Sequence, residues 1–273
     1  MAQLRLPLTI AIAVLVGWAV GEFVTPLLGV SSFWLSLVVS VGITTAVLVG
    51  LEMLVDGLGA SGEKIELGEL EGLYRVKEDE IERAAAVLAD AFHDDPLYQG
   101  LFGNGEVALR KFRLTSLMMT RYCFRYGAVY ASSKDLEGVM LISWSPNTTM
   151  TVGRMIRSGA FIAILRVGLG SLGRIITALS PLDGYRDRLM SGRSFVYLNM
   201  IGVAREHQGK GHGGKLLRAL LSGADELGLP LYLETETEKN VSIYERFEFG
   251  TLKKVTLPVI DQPMWLMVRE AGE

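Results

Sequence analysis

From Leu6 to Leu51 the sequence holds one charged side chain, Glu22. No other feature restricts the fold so strongly, because an apolar run of that length must be buried in protein or in lipid. It suffices for two membrane spans of about 20 residues each. The expected spans are Leu6–Leu28 and Phe33–Val55, turning at Gly29-Val30-Ser31-Ser32. Gly17 and Gly21 form a GxxxG pair, and Gly42, Ala46 and Gly50 repeat small residues at the same spacing, which lets two helix backbones approach closely in lipid. Trp18 and Trp34 suit an interface. Two spans put both ends on one side, and Arg5 and Lys64 point to the cytoplasm for that side. Glu22 then belongs near the interface or in a pair within an oligomer. Two other readings stay open. Arg5 and an apolar stretch ending near Ala19-Val20-Gly21 also suit a signal peptide, with the second run as an anchor and the rest outside the cell. A buried helical hairpin of a soluble protein is the other.

Residues 1–61 contain only Arg5, Glu22, Glu52 and Asp56 as charges, whereas everything after Ser61 has the charge density of an ordinary globular domain. The expected layout is therefore a two-helix membrane hairpin over 1–56, a linker over 57–68 and one domain over 69–273. A net charge of −3 without a long basic stripe gives no reason to expect nucleic acid as a partner. The single cysteine, Cys123, excludes an internal disulfide and fits a reducing compartment. It follows a helical run, which suits a packed thiol better than a nucleophile.

Apolar spacing sorts the domain into elements. Glu71–Val76 suits a short strand and Lys77–Phe92 a helix with acids in its first turn. Val107–Tyr126 suits a second helix, and Ala128–Ser132 and Gly138–Trp144 a strand pair around Ser133-Lys134-Asp135. Thr149–Ser180 is expected to be helical with glycine interruptions. A strand at Ser194–Val203, a helix at Gly213–Leu227, a strand at Leu231–Thr235 and a short helix at Val241–Phe247 follow. Strands Leu252–Val259 and Met264–Val268, turning at Asp261-Gln262-Pro263, end a mixed α/β order with late antiparallel strands.

The stretch Gln208-Gly209-Lys210-Gly211-His212-Gly213-Gly214-Lys215 stands between a strong strand and an amphipathic helix. Glycines there let main-chain N–H groups converge, and the helix start adds its positive dipole end, so the natural guest is an anion such as phosphate. As a Walker A loop, Gly209, Gly214 and Lys215 match, but Leu216 stands where a Ser or Thr must bind Mg²⁺. As a dinucleotide fingerprint, Gly209, Gly211 and Gly214 fit GxGxxG, and Glu234 follows at a strand end. Against it, Ala204–Gln208 separates the strand from the first glycine, and too little chain follows for the rest of a doubly wound sheet.

A third reading comes from several blocks in order. Gln208-x-x-Gly211-x-Gly213, preceded by Tyr197-Leu198-Asn199-Met200-Ile201-Gly202-Val203, resembles the acetyl-CoA signature of GNAT acetyltransferases. Leu231-Tyr232-Leu233-Glu234-Thr235 and Asn240-Val241-Ser242-Ile243-Tyr244-Glu245-Arg246-Phe247 resemble that family's following strand and tyrosine-bearing helix. The resemblance covers residues 194–249. It implies an α/β (α+β) fold, a mixed central sheet flanked by helices, placed after the hairpin. It also implies acetyl-CoA as co-substrate, no metal, and transfer of an acetyl or short acyl group to an amine of a small molecule or peptide by direct attack on the thioester.

Residue by residue, the resemblance gives Ile201 and Val203 main-chain contacts to the pantetheine arm. Gln208, Gly209, Lys210, Gly211, His212, Gly213 and Gly214 surround the pyrophosphate, held through main-chain N–H groups with Lys210 adding charge. His212 reads as a solvated loop residue rather than a catalyst. Tyr244 stands at the position of the usual general acid, where a phenol can protonate the departing sulfur. Glu234 is the candidate base, with Glu236 on the same strand face. Either also reads as an ordinary exposed carboxylate, and a water chain is a further route. Thr237 occupies a spot where many members carry asparagine, which leaves Asn240 as the available amide for the cofactor. Glu248 replaces the glycine that often precedes Phe249, and Ala204-Arg205 replaces a frequent Asp-Pro.

Between Pro146 and Leu182 stand Arg154, Arg157, Arg166 and Arg174 with no acid. A cap over the acceptor cleft and a helix lying on anionic lipid both fit that pattern. The expected whole is a membrane-held acyltransferase facing the cytoplasm, self-association left open, with an acyl-CoA-binding sensor or scaffold as the alternative.

Overall fold

A computed structural model describes residues 67–272, apart from 161, 162, 164 and 165, together with Gly50. The hairpin expected over 1–56 lies outside the described residues. Among those described, no helix is long and apolar enough to cross a membrane. One compact unit takes in Lys64–Met150 and Met155–Glu273.

Seven strands form one mixed sheet: β1 (Tyr74–Arg75), β2 (Gly127–Ala131), β3 (Gly138–Trp144), β4 (Val196–Val203), β5 (Leu231–Thr235), β6 (Gly250–Leu257) and β7 (Gln262–Arg269). Their order is β1-β2-β3-β4-β5-β7-β6, and only β4 and β5 run parallel. Parallel neighbours need a crossover, which is supplied by the 15-residue helix between them. The helices are α1 (Ile81–Ala91), α2 (Pro96–Phe102), α3 (Glu106–Tyr126), α4 (Val152–Arg157), α5 (Leu169–Leu189), α6 (His212–Glu226) and α7 (Glu238–Glu245).

Both faces of the sheet are covered, which is why β2 and β3 are buried almost throughout instead of alternating. α6 lays Leu216, Leu217, Leu220 and Ala224 on one face against Val196, Leu198, Leu231 and Leu233. On the other face, Ala84 and Leu88 of α1 and Tyr122 and Cys123 of α3 meet Val129, Val139 and Leu141. α5 sets Leu182, with Leu179, Tyr185 and Leu189, against Tyr232, Leu257 and Leu266. So part of the arginine-bearing segment is a packed cover over β5–β7. Truncating a buried leucine such as Leu216 would cost about 2–5 kcal/mol.

Leu67 and Leu70 already belong to the core at 2% and 5% exposure, so packing begins inside the stretch expected as linker. Cys123 is fully buried, and burial pushes its thiol well above the usual range, which suits a packing role. Among the described residues, the one α-helix without a counterpart in the sequence reading is α2. Its seven residues are too few for apolar periodicity, yet Asp95 caps it and Pro96 takes the first turn, a local start signal.

Candidate active site

β4 and β5 pair over three residues only: Val196 with Leu231, Tyr197 with Tyr232 and Leu198 with Leu233. β4 continues to Val203 on β3 alone, so from Asn199 onward its other edge lacks a strand neighbour. A bulge marks the parting. Leu141 pairs with Met200 and Ile142 with Leu198, which leaves Asn199 as the extra residue. One extra residue reverses the alternation. Val196 and Leu198 face α6, whereas Met200 joins the α1–α3 core and Ile201 packs on the α6 side. Gly202 then faces α1 so closely that a Cβ there would lie 2.7 Å from Ala91 Cβ. Asn199 Nδ2 donates to Ser143 Oγ (2.8 Å) and Tyr197 O (3.1 Å), which holds the bulge. An unpaired strand edge offers main-chain groups to an extended guest.

The glycine loop continues from that edge. Asp90 of α1 accepts from the Arg205 main-chain N–H (2.8 Å) and from Nε (3.0 Å), tying down the turn Arg205–His207. Gln208 Nε2 donates to Val203 O (3.1 Å), so that carbonyl is already engaged. Gly209 and Gly211 have φ of 75° and 88°, conformations that favour glycine, and a Cβ on either would meet nothing within 4 Å. Gly211 caps α6 without any side-chain bond to the helix start. The N–H groups of His212, Gly213 and Gly214 consequently have no partner within the helix. The donor set suits an anion: bare main-chain N–H groups, a helix dipole and the exposed Lys210.

Two side chains of this stretch turn elsewhere. His212 Nδ1 lies 3.1 Å from Ser132 Oγ, and Lys215 Nζ donates to Ser132 O (2.6 Å), so both hold the β2–β3 turn. Burial pushes the Glu137 carboxyl in that turn up. Hydrogen bonds from Ser133, its own N–H and Ser132, with the nearby His212, outweigh it and hold the group at about 2.

α7 brings Tyr244 and Asn240 to the same end of β5. Thr237 caps the helix by accepting from the Asn240 N–H (3.2 Å), and Asn240 Nδ2 donates to Glu236 Oε1 (3.1 Å). Tyr244 packs edge-on to Phe249 at 5.7 Å on the rim of the α6 core. Burial, with the charge of Glu236, pushes its phenol up, so it stays protonated as an acid must. Glu248, where glycine was the expected residue, has φ of 67° and so adopts the left-handed shape that glycine favours. Its carboxylate lies 3.5 Å from Arg269 Nη2.

The two candidate bases have opposite surroundings. Glu234 is held: Tyr197 OH donates to Oε2 (2.9 Å), Tyr232 OH to Oε1 (3.0 Å), and Arg186 Nη1 lies 3.5 Å from Oε1. Burial raises this carboxyl, with Arg186 and both phenols opposing. Arg186 comes from α5, bonds Asp183 and Thr148 O, and stacks over the Tyr197 ring at 4.7 Å. Burial disfavours its charge, but Tyr197, Glu234 and Asp183 outweigh that and keep it protonated. Glu236, 8% exposed, has no such counter-ion among the described residues. Burial first, then Asp95, pushes its carboxyl up to about 8. Burial likewise raises Asp95.

The structure thus gathers Tyr244, Asn240 and Glu236 at one end of β5 and places Gly209–Gly214 at the start of α6. It locks Glu234 into an ion pair. Asp95 and Arg186 are the residues the sequence did not single out. The Asp-Pro start of α2 was a usable signal for the first, and only long-range packing exposes the second.

Residues 172–249 match the model of the acetyltransferase (GNAT) family. An uncharacterised N-acetyltransferase of Schizosaccharomyces pombe is 28% identical over 202 residues, covering 72% of this chain and 82% of that protein. Among solved structures, a Corynebacterium glutamicum protein described as histone acetyltransferase HPA2 and related acetyltransferase superposes with a TM-score of 0.51 at 16% identity, over 74% of this chain and 96% of the other. An agmatine N-acetyltransferase gives 0.51 at 15% identity, over 72% and 98%. These structural likenesses bear on the fold. Together with the splayed β4–β5 pair and the glycine loop, they make this chain similar to the GNAT acetyltransferases in fold and, over residues 172–249, in sequence.

Proposed function

We propose that the chain transfers an acetyl or short acyl group from CoA to a small-molecule amine by direct attack of the amine on the thioester. The observation that carries the reading is the parting of β4 and β5 after Leu198 and Leu233, which leads from the glycine loop toward Tyr244. In this reading the N–H groups of His212, Gly213 and Gly214 hold the pyrophosphate, with Lys210 adding charge and Gln208 bracing Val203. The free edge of β4 at Ile201 and Val203 lines the pantetheine arm. Asn240 is the amide offered to the cofactor, beside Glu236. Tyr244 gives its proton to the sulfur as the C–S bond breaks. A small amine as acceptor is supported by fold neighbours named for agmatine and, in Aedes aegypti, for arylalkylamines.

Residues 1–56 complete the reading as a two-helix anchor over the expected spans, with the domain on the cytoplasmic face. The support is the length of uncharged sequence between Leu6 and Leu51. Thioester consumption with a panel of amines tests the chemistry. Acetyl-CoA binding without turnover on any amine would point instead to a sensor or scaffold. Release of the full chain from membranes by alkaline carbonate would remove the anchor and leave the chemistry standing.

A further inference from the structure

Arg218 stands on α6 one turn past Gly214, exposed to solvent, and its guanidinium folds back toward the start of the helix. A Cβ placed on Gly214 would lie 3.1 Å from Arg218 Nη1 and 3.6 Å from Cζ and Nη2, so the flat group rests against the bare face of that glycine. Gly214 is not among the residues with positive φ, so its backbone shape does not call for glycine. Glycine inside a helix is less stable than alanine. What the missing side chain provides here is room for the guanidinium.

Tertiary contacts set the direction of that face. Gly214, Arg218, Leu221 and Asp225 share one stripe of α6. Asp225 fixes the stripe by accepting from Arg269 of β7 at 2.6 and 2.9 Å, and β7 is the neighbour of β5. Arg218 therefore flanks the side of α6 turned to β5, whereas His212 and Lys215 turn to the β2–β3 turn and are held by Ser132. Among the described residues Arg218 has neither a hydrogen bond nor an ion pair. A cation laid against the positive end of a helix, beside main-chain N–H groups with no partner within it, is unfavourable without an anion between them. A phosphate group satisfies both sides, with the N–H groups on one oxygen and the planar guanidinium fork on others.

We propose that Arg218 is a side-chain ligand of the CoA diphosphate, which it clamps against the N–H groups of α6 across the bare face of Gly214. The proposal rests on the glycine-loop reading above. It adds a charged contact from the body of the helix to a site otherwise made of main-chain groups and Lys210. The diphosphate is the committed target because the guanidinium lies at Gly214, whose N–H belongs to the same donor set.

The test is calorimetric titration of the full chain and of Arg218→Met with CoA and with dephospho-CoA, which keeps the diphosphate and lacks the 3′-phosphate. Methionine retains an apolar stem and removes the charge, and at an exposed position it leaves the melting temperature in place. The variant binds CoA about tenfold more weakly or worse, the loss expected for one charged hydrogen-bonding contact. It loses the same factor with dephospho-CoA, and its affinity falls less steeply with added salt than that of the wild-type chain. Unchanged CoA affinity in the variant overturns the proposal. So does a loss confined to CoA, which assigns the guanidinium to the 3′-phosphate. Failure of the wild-type chain to bind CoA at all overturns the glycine-loop reading itself, whereas binding that Arg218→Met leaves intact removes this contact alone.

Discussion

Glu234 and Glu236 stand two residues apart at one end of one strand, and their surroundings differ in almost every respect. Around Glu234 the sheet is closed. Two tyrosine hydroxyls and a buried arginine saturate its oxygens, and the arginine in turn fastens α5 to β5. Around Glu236 the sheet has opened. Its neighbours are another acid, an amide and two phenols, with no cation among the described residues. The comparison teaches that a carboxylate's proximity to a cleft says little about its work. Where partners are complete, the group is structure; where a buried charge lacks its complement, there is room for a substrate to supply it.

The largest expected effect breaks the closed side. Arg186→Met leaves Glu234 buried without its cation and should lower unfolding stability by about 3–5 kcal/mol, read from urea denaturation. An unchanged midpoint would show that the Glu234 neighbourhood is no more locked than that of Glu236. Next is Tyr244→Phe, which should lower kcat about a hundredfold while acetyl-CoA affinity changes little, placing the chemistry beside Glu236. Equal losses from Tyr197→Phe would move it back toward Glu234.

A pH series sharpens the contrast further. Folding raises the Glu236 carboxyl from an ordinary 4.5 to about 8, so the native state keeps a proton that the unfolded chain releases. That contribution is fully present below 4.5, declines as pH rises toward about 8, and is level above. The slope contributed is at most about 1.4 kcal/mol per pH unit, and Glu236→Gln should flatten it. A slope that this variant leaves untouched would assign the titration to another group. The smallest effect is that of Asn240→Ala, which removes one hydrogen bond from Glu236 and should cost about 1 kcal/mol in the same denaturation assay.

Much of the chain was legible because its signals are local. The spans Gly138–Trp144 and Leu231–Thr235 read directly from their apolar, β-branched runs, and α6 from its apolar stripe behind the glycines. Tyr244 was named by the resemblance of its segment to a tyrosine-bearing helix of the GNAT acetyltransferases, and it lies on α7, just past the end of β5. Glu234 shows the limit. Alternation places it on the same strand face as Glu236, but it cannot reveal that Arg186, 48 positions earlier, already occupies it. Asp95 lay hidden because α2 is too short for periodicity to detect. The bulge at Asn199 was equally invisible, since it is defined by register against β3 and not by any residue preference.

The sequence alone determined the element order, the glycine loop at the start of α6 and the apolar character of the first 51 residues, because backbone conformation, helix starts and hydropathy are set by neighbours along the chain. Only the tertiary structure decided which acid is paired with a cation and which is left without one. That outcome depends on desolvation and on partners brought from α2 and α5, and both are properties of the folded interior.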